Sequence, residues 1–197
     1  MLKKQVIAHS IGNLTDARYF AGWMVDFFIF SIDPSSDFYL NPQEIGTFQS
    51  WVEGPEFYLE YTDELAENPE KYLVDLNCNG IYIPYDDRGL ITSYDVPVIY
   101  KLKENDLEEY LKFNSEDLAV LITEKRILEV EDLIKDKSAN DLFYEIKNQE
   151  VSEQELLNTS LKGIMVHGSA EEKVGFKSYD ELDEIFETLQ DLSLIHI

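Results

Sequence analysis

The sequence predicts an α/β fold in the form of a single compact (β/α)8 barrel covering residues 1–197. Eight apolar runs of strand length occur along the chain, and segments with helical periodicity lie between them. No G-x-G-x-x-G motif follows the first run, which disfavours the alternative of a doubly wound open sheet. Such barrels usually need roughly 250 residues, with about 200 as the lower limit. We therefore expect short loops and abbreviated helices.

The predicted strands are short runs rich in β-branched and aromatic residues, bounded by polar residues. They cover residues 5–11, 26–32, 56–61, 80–85, 96–102, 118–123, 142–146 and 163–167. Each strand of a closed barrel needs two partners, so the first and last strands must be neighbours.

The predicted helices cover residues 14–24, 41–52, 107–113, 127–135, 153–157 and 179–189. In the last of these, the apolar side chains recur at the i, i+3, i+4 and i+7 spacing of one helix face: Leu182, Ile185, Phe186 and Leu189. The acidic runs "DELAENPEKY" and "KENDLEEYLK" are interpreted as solvated helix faces.

The charge balance is strongly acidic, with 16 Lys and Arg against 40 Asp and Glu and a net charge of −24. Such a surface repels polyanions, so we expect no nucleic-acid partner. The lone Cys78 cannot form an internal disulfide, and the apolar part of the N-terminus is too short for a secretory leader. No apolar run approaches the ~20 residues of a membrane helix. These features predict a cytoplasmic protein without a membrane contact, and they leave a protein partner unknown.

Three stretches carry a resemblance to a known family. They read "NLTDARYFAGWMVDFFIF" from Asn13, "PSSDFYLNPQEI" from Pro34 and "GIMVHGSAEEKVGFKSYDELDEIFETL" from Gly163. They resemble phosphoribosylanthranilate isomerase, a small TIM barrel of tryptophan biosynthesis. The resemblance covers residues 5–52 and 161–190, while the middle of the chain matches only in the order of its elements.

The resemblance implies an Amadori rearrangement, in which a general acid and a general base face each other across the barrel mouth. In that family the base is a cysteine in the first strand, and the acid is an aspartate that ends the sixth. An arginine after the second strand binds the anthranilate carboxylate, and glycine-rich turns after strands six, seven and eight hold the phosphate.

This chain departs from the family pattern at most of these positions, and only the loop after strand eight, from Gly168, keeps something of the phosphate loop. The resemblance assigns the cysteine position to His9 and the following glycine to Ser10. It assigns the arginine position to Phe38, which cannot make a charge-assisted hydrogen bond. The segments "EKRILEVED" and "EIKNQE" replace the turns after strands six and seven, and they lack the glycines that permit close approach to phosphate.

The candidate site residues follow from this comparison. The candidate catalytic positions are His9, Thr123 and the neighbouring Glu124, and the candidate ligand-binding positions are Phe38, Gly168 and Ser169. His9 is either a replacement base or a hydrogen-bonded histidine at the barrel rim. A metal site formed by His9 and His167 with Glu60 or Glu124 is a weaker alternative, so neither a metal nor a cofactor is predicted.

Three functions remain open at this level. The first is a catalytically degenerate, isomerase-like barrel, a pseudoenzyme with a binding or regulatory role and a small anionic or sugar-phosphate ligand. The second is an active sugar-phosphate isomerase with a rearranged site. The third is a barrel whose mouth is refitted for another small ligand.

Overall fold

The computed structural model describes residues 2–113, 117–135, 141–147, 151–168 and 178–190. Its strands close into a barrel in which all eight neighbouring pairs are parallel. In chain order the strands are β1 Gln5–His9, β2 Phe27–Phe30, β3 Glu56–Glu60, β4 Gly80–Pro84, β5 Val98–Lys103, β6 Leu118–Ile122, β7 Leu142–Glu145 and β8 Gly163–His167. The predicted (β/α)8 fold class is thus confirmed.

Helices connect most of the strands. They are α1 Leu14–Gly22, α2 Pro42–Trp51, α3 Asp63–Glu67, α4 Pro69–Asp75, α5 Glu104–Phe113, α6 Ile127–Ile134, α7 Glu153–Asn158 and α8 Asp180–Leu189. Between β4 and β5 the described chain forms only a 3-10 helix, Tyr85–Leu90. None of the described helices is both long enough and apolar enough to cross a lipid bilayer.

The barrel closes between β1 and β8, as predicted. The register runs from Gln5 opposite Gly163 to His9 opposite His167. A Cβ atom at position 163 would lie 1.9 Å from the carbonyl oxygen of Gln5, so only glycine allows the two backbones to approach this closely.

The interior of the barrel is filled by apolar side chains from all eight strands. They are Ile7, Phe27, Ile29, Tyr58, Tyr82, Ile99, Val120, Phe143 and Met165. A second apolar layer packs the strands against the surrounding helices. Because the centre of the barrel is solid, a ligand has access to its two ends and not to a channel between them.

Side chains alternate between the two faces of a strand, so the residue two positions after an interior residue also faces inward. Four strands end in a polar residue at that position, namely His9, Glu60, Glu145 and His167, and Lys101 occupies it two residues before the end of β5. Because all strands are parallel, these residues are directed towards the same end of the barrel, which we call the mouth.

Candidate functional site

At the centre of the mouth lies a triangle of side chains from β1, β8 and the residue that follows β1. The hydroxyl oxygen of Ser10 is 3.0 Å from Nδ1 of His9 and 3.1 Å from Nδ1 of His167. The two Nδ1 atoms are 3.3 Å apart. The pairing of His9 with His167 across the β1–β8 closure brings the three groups together.

Each histidine faces a carboxylate on its other side, and the two contacts differ. Nε2 of His167 is 3.0 Å from Oε1 of Glu145, which is a hydrogen bond. Nε2 of His9 is 3.6 Å from Oε1 of Glu60, which is an ion-pair contact but too long for a hydrogen bond. A carboxylate only accepts, so Nε2 of His167 carries the proton. In the neutral ring, Nδ1 of His167 is then an acceptor directed at Ser10.

Both carboxylates are held in their charged form. Burial by itself raises the pKa of Glu145, but His167 and Lys147 outweigh it, and the pKa lies below its ordinary value. In the same way, burial raises the pKa of Glu60, and contacts with His9 and Lys101 bring it below the ordinary value. The mouth therefore contains two ionised carboxylates at neutral pH.

Some polar atoms beneath the mouth make no hydrogen bond within the described part of the chain. The hydroxyl of Tyr82 is one, in a residue that is only 2% exposed, and Nε2 of His9 is another. Burial, together with the charges of Glu145 and Glu60, raises the pKa of Tyr82 well above its ordinary value, so this phenol stays protonated. Oε2 of Glu145 has only a charge contact, 3.3 Å from Nζ of Lys147.

The predicted acid position lies in a separate network at the end of β6. Thr123 is 4% exposed, and its hydroxyl donates to Glu104. The backbone N–H of Lys125 donates to the Thr123 hydroxyl over 3.0 Å, and the Lys125 amine pairs with Glu104. This pairing with Lys125 lowers the pKa of Glu104. The hydroxyl of Thr123 is thus occupied by internal hydrogen bonds.

Glu124 does not join the histidines. Its side chain is 86% exposed and contacts Nζ of Lys147 at 3.3 Å. The described residues contain no group of three or more His, Cys, Asp or Glu side chains arranged to hold a metal ion. The two histidines instead contact two other carboxylates: His167 makes a hydrogen bond to Glu145, and His9 makes a charge contact with Glu60.

The predicted ligand-binding positions lie near β1. Phe38, in the loop after β2, is half-buried against Gly12, where a Cβ atom would be 3.2 Å from its ring. The N–H of Gly168 donates to the carbonyl oxygen of His9 over 2.8 Å. A Cβ atom at Gly168 would be 2.3 Å from the carbonyl oxygen of Ser10, which explains the glycine. Ser169 lies outside the described residues, and the roles of all these positions in binding remain predictions.

Sequence reasoning did not assign a role to three residues of this site: Ser10, Tyr82 and Glu145. For the last two the strand pattern contains the signal. Tyr82 has the parity of the interior of β4, and Glu145 follows the interior Phe143 by two positions. For Ser10 the local sequence contains no such signal, because its contact with His167 spans 157 positions.

The fold and this polar mouth define the chain as a small (β/α)8 barrel with its candidate site at the C-terminal ends of the strands, where enzymes of this architecture have their active sites. Among solved structures it is similar to phosphoribosylanthranilate isomerases. Monomers of the dimeric enzyme from Thermotoga maritima share 18% identity over 96% of this chain and 100% of that one, with a TM-score of 0.69.

Two further structures extend the comparison. A phosphoribosylanthranilate isomerase bound to reduced 1-(o-carboxyphenylamino)-1-deoxyribulose 5-phosphate shares 16% identity over 94% of this chain and 98% of that one, with a TM-score of 0.71. TrpF from Jonesia denitrificans shares 12% identity over 97% and 98%, with a TM-score of 0.69. No protein-family model and no curated protein matches the sequence. Because the identities are only 12–18%, these similar structures confirm the resemblance as a shared fold and nothing further.

Proposed function

We propose that this chain is a phosphoribosylanthranilate isomerase-like barrel without isomerase activity, whose mouth binds a small polyhydroxylated ligand of the sugar or sugar-phosphate class. The observation that carries the proposal is a set of buried polar atoms at the mouth that find no hydrogen-bond partner among the described residues, above all the hydroxyl of Tyr82 and Nε2 of His9. Leaving a buried polar group unpaired costs about 1–3 kcal/mol. A bound ligand that supplies the missing partners recovers this energy.

The chemistry of the mouth favours hydroxyl groups on the ligand. Glu60 and Glu145 accept hydrogen bonds, and Lys101 and Lys147 donate them. A sugar hydroxyl does both, so it complements such a mixed set of partners. A phosphate on the same ligand must lie away from the two carboxylates, because they repel it.

The loss of isomerase activity is supported by the three positions that the resemblance assigns to the reaction. Phe38 has no charge for the substrate carboxylate, and the hydroxyl of Thr123 is committed to Glu104. His9 has a partner across the β1–β8 closure and a carboxylate at 3.6 Å. Loss of a general acid or base costs ~10²- to 10⁴-fold in rate each.

Two measurements test the proposal on the purified chain. Turnover of phosphoribosylanthranilate is expected to fall more than about 1,000-fold below the usual enzyme median of ~10 s⁻¹. Calorimetric titration is expected to detect binding of at least one of three compounds. They are ribulose 5-phosphate, ribitol and reduced 1-(o-carboxyphenylamino)-1-deoxyribulose 5-phosphate. Turnover near the median would support the rearranged-isomerase alternative, and no binding would refute the ligand class.

Tyr82→Phe is the matched variant, since it removes only the hydroxyl. We expect the free protein to keep or increase its stability, because the hydroxyl makes no hydrogen bond there. Affinity for the ligand is expected to fall about 5- to 10-fold, as for loss of one hydrogen bond of about 1 kcal/mol. Tyr58→Phe is the control, because Tyr58 lies in the same interior but its hydroxyl faces Glu56 at the start of β3, at 3.5 Å.

A further inference from the structure

We propose that Ser10, His167 and Glu145 form a nucleophile, base and orienting carboxylate that transfer acyl groups from small uncharged esters to water. The inference rests on the proposed function only in using the same mouth as a binding site. The isomerase-like fold does not require it, and it is argued from the contacts among these three residues.

The geometry meets the two requirements of such an arrangement. The nucleophile must lie within about 2.6–3.2 Å of the base, and the base must be oriented by a third group. Ser10 Oγ is 3.1 Å from Nδ1 of His167, and Nε2 of the same ring is 3.0 Å from Glu145. Glu145 is buried, with 6% exposed, so its bond to the ring is shielded from water.

The two histidines that contact Ser10 are not equivalent. Glu145 holds the proton of His167 on Nε2, which makes Nδ1 of His167 the acceptor for the serine proton, with Nδ1 of His9 3.3 Å away. Among the described residues, Nε2 of His9 finds no hydrogen-bond partner, and its Nδ1 is 3.0 Å from the same hydroxyl. With a proton on Nδ1, His9 donates to Ser10 and stabilises its oxygen as the serine proton leaves. His167 is therefore the base, and His9 supports the nucleophile.

The backbone at Ser10 is unusual in a way that fits a nucleophile. Its φ angle is +57°, in the left-handed region that serine rarely adopts. Such conformations cost about 1–3 kcal/mol and persist where the surroundings determine them, often at active sites. Here the turn after β1 directs the hydroxyl between the two rings. Ser10 is only partly buried, which leaves it accessible to a substrate.

The reaction balances without any further reagent than water. Ser10 Oγ attacks the ester carbonyl carbon while its proton moves to Nδ1 of His167, forming a tetrahedral intermediate. The intermediate collapses, the bond to the alcohol oxygen breaks, and the alcohol takes the proton from His167. A water molecule then attacks the acyl-serine and gives a proton to Nδ1 of His167. The second tetrahedral intermediate collapses, the bond between the acyl carbon and Ser10 Oγ breaks, and His167 returns the proton to Ser10 Oγ as the acid leaves. The carboxylates at the mouth and the net charge of −24 repel anionic substrates, so we expect the acyl group to be uncharged.

The first experiment treats the full chain with a fluorophosphonate probe and maps the adduct by mass spectrometry. The expected result is a single adduct at Ser10. Hydrolysis of p-nitrophenyl acetate is then compared between variants. Ser10→Ala and His167→Gln are expected to lower kcat about 100-fold or more. Ser50→Ala, at an exposed position of α2, is the control and is expected to match the wild type.

Glu145 acts through His167 and is therefore a positioning residue. Glu145→Gln is expected to lower kcat with little change in KM, and to move the acidic limb of the pH–rate profile. A merely structural role would not move that limb. His9→Gln is expected to leave the fluorophosphonate adduct in place but to slow its formation.

Folding of each variant is checked by circular dichroism and thermal unfolding. If Ser10→Ala does not fold, Ser10→Cys retains an attacking atom and is expected to form an acyl-thioester at residue 10. Absence of an adduct at Ser10 in the folded protein would overturn the inference, as would hydrolysis within twofold of the wild type in Ser10→Ala. The ligand titrations are independent, so a Ser10 adduct without sugar binding would refute the proposed ligand alone.

Discussion

At position 123, which the resemblance assigns to the acid of phosphoribosylanthranilate isomerases, this chain has the small polar side chain of threonine. Its hydroxyl donates to Glu104 and accepts from the backbone of Lys125. The site around it is built for a donor, because the Glu104 carboxylate is already present. A carboxylate at position 123 would therefore face a like charge in a residue that is 4% exposed.

We predict that Thr123→Asp lowers the free energy of unfolding by about 1–3 kcal/mol and creates no isomerase activity. The lost hydrogen bond and the repulsion from Glu104 act in the same direction. Thr123→Ser keeps the hydroxyl and is the control, with a loss of less than about 1 kcal/mol. Urea denaturation at neutral pH measures both, and a Thr123→Asp variant as stable as the wild type would contradict the assigned network.

Glu145 gives a prediction for acid. Its carboxyl pKa in the folded protein lies below the ordinary 4.5, since His167 and Lys147 outweigh its burial. A depressed carboxyl pKa stabilises the fold above the unfolded pKa, and this contribution is lost as the pH falls through the folded value. Wild type is therefore expected to be more stable than Glu145→Gln at about pH 7, with the difference shrinking towards about pH 3.

Urea denaturation at a series of pH values measures this difference. Glu70→Gln, at an exposed position of α4, is the control, and its difference from the wild type is expected to change little with pH. A gap between wild type and Glu145→Gln that grows on acidification would show that the folded pKa is raised.

The residues of the site were partly predictable. His9 and His167 were expected to be neighbours because they end the first and last strands, and they are paired directly. Ser10 was assigned by resemblance to a glycine position, and nothing in its neighbours along the chain indicates a contact with His167. Its position depends on a left-handed turn and on barrel closure, and both are set by tertiary structure.

At the scale of the elements, one glycine governs closure. At Gly163 a Cβ atom would meet both the backbone of Gln5 and the ring of Phe143, at 1.9 Å and 2.8 Å. We predict that Gly163→Ala destabilises the barrel by about 1–3 kcal/mol or more, because β1 and β8 must separate. Gly22→Ala is the control: its Cβ meets nothing within 4 Å, and a gain of roughly 0.5–1 kcal/mol is expected.

Thermal and urea unfolding of the two alanine variants provide the test. Equal effects at positions 163 and 22 would show that the β1–β8 contact is not a close one. A loss of stability in Gly163→Ala together with a gain in Gly22→Ala would show that glycine is required specifically at the β1–β8 closure.

The strands were more predictable than the segments between them. Seven of the eight predicted apolar runs contain the observed strand, and β5 extends one residue beyond its run, to Lys103. A strand buried on both faces leaves an uninterrupted apolar signal. The run at residues 63–72 was interpreted only as a solvated helix face, and it forms the short helices α3 and α4, which adjoin at Asn68 and Pro69. Helix α5 begins at Glu104, before its predicted start at residue 107. The apolar pattern missed the first turn because that turn is acidic and has no apolar periodicity.

At the scale of the whole molecule, repulsion across the acidic surface is the dominant long-range electrostatic interaction. The ion pairs on the described helices and loops are mostly exposed, such as Lys71 with Asp75 and Lys112 with Glu108, whose side chains are more than half exposed. Pairs of this kind contribute about 0–1 kcal/mol each. The chain has 40 acidic residues against 16 basic ones, so repulsion among the excess carboxylates opposes the compact state.

We therefore predict that salt stabilises this protein. Raising NaCl from about 10 mM to about 0.5 M shortens the screening length from roughly 30 Å to a few ångströms, which weakens repulsion across the whole surface more than the short ion pairs. A gain of about 1–2 kcal/mol corresponds to a rise in Tm of roughly 2–8 °C for a chain of this size. Calorimetry at constant pH measures it, with KCl as the control for a specific effect of sodium. A Tm that falls with salt would mean that the ion pairs outweigh the net charge of −24.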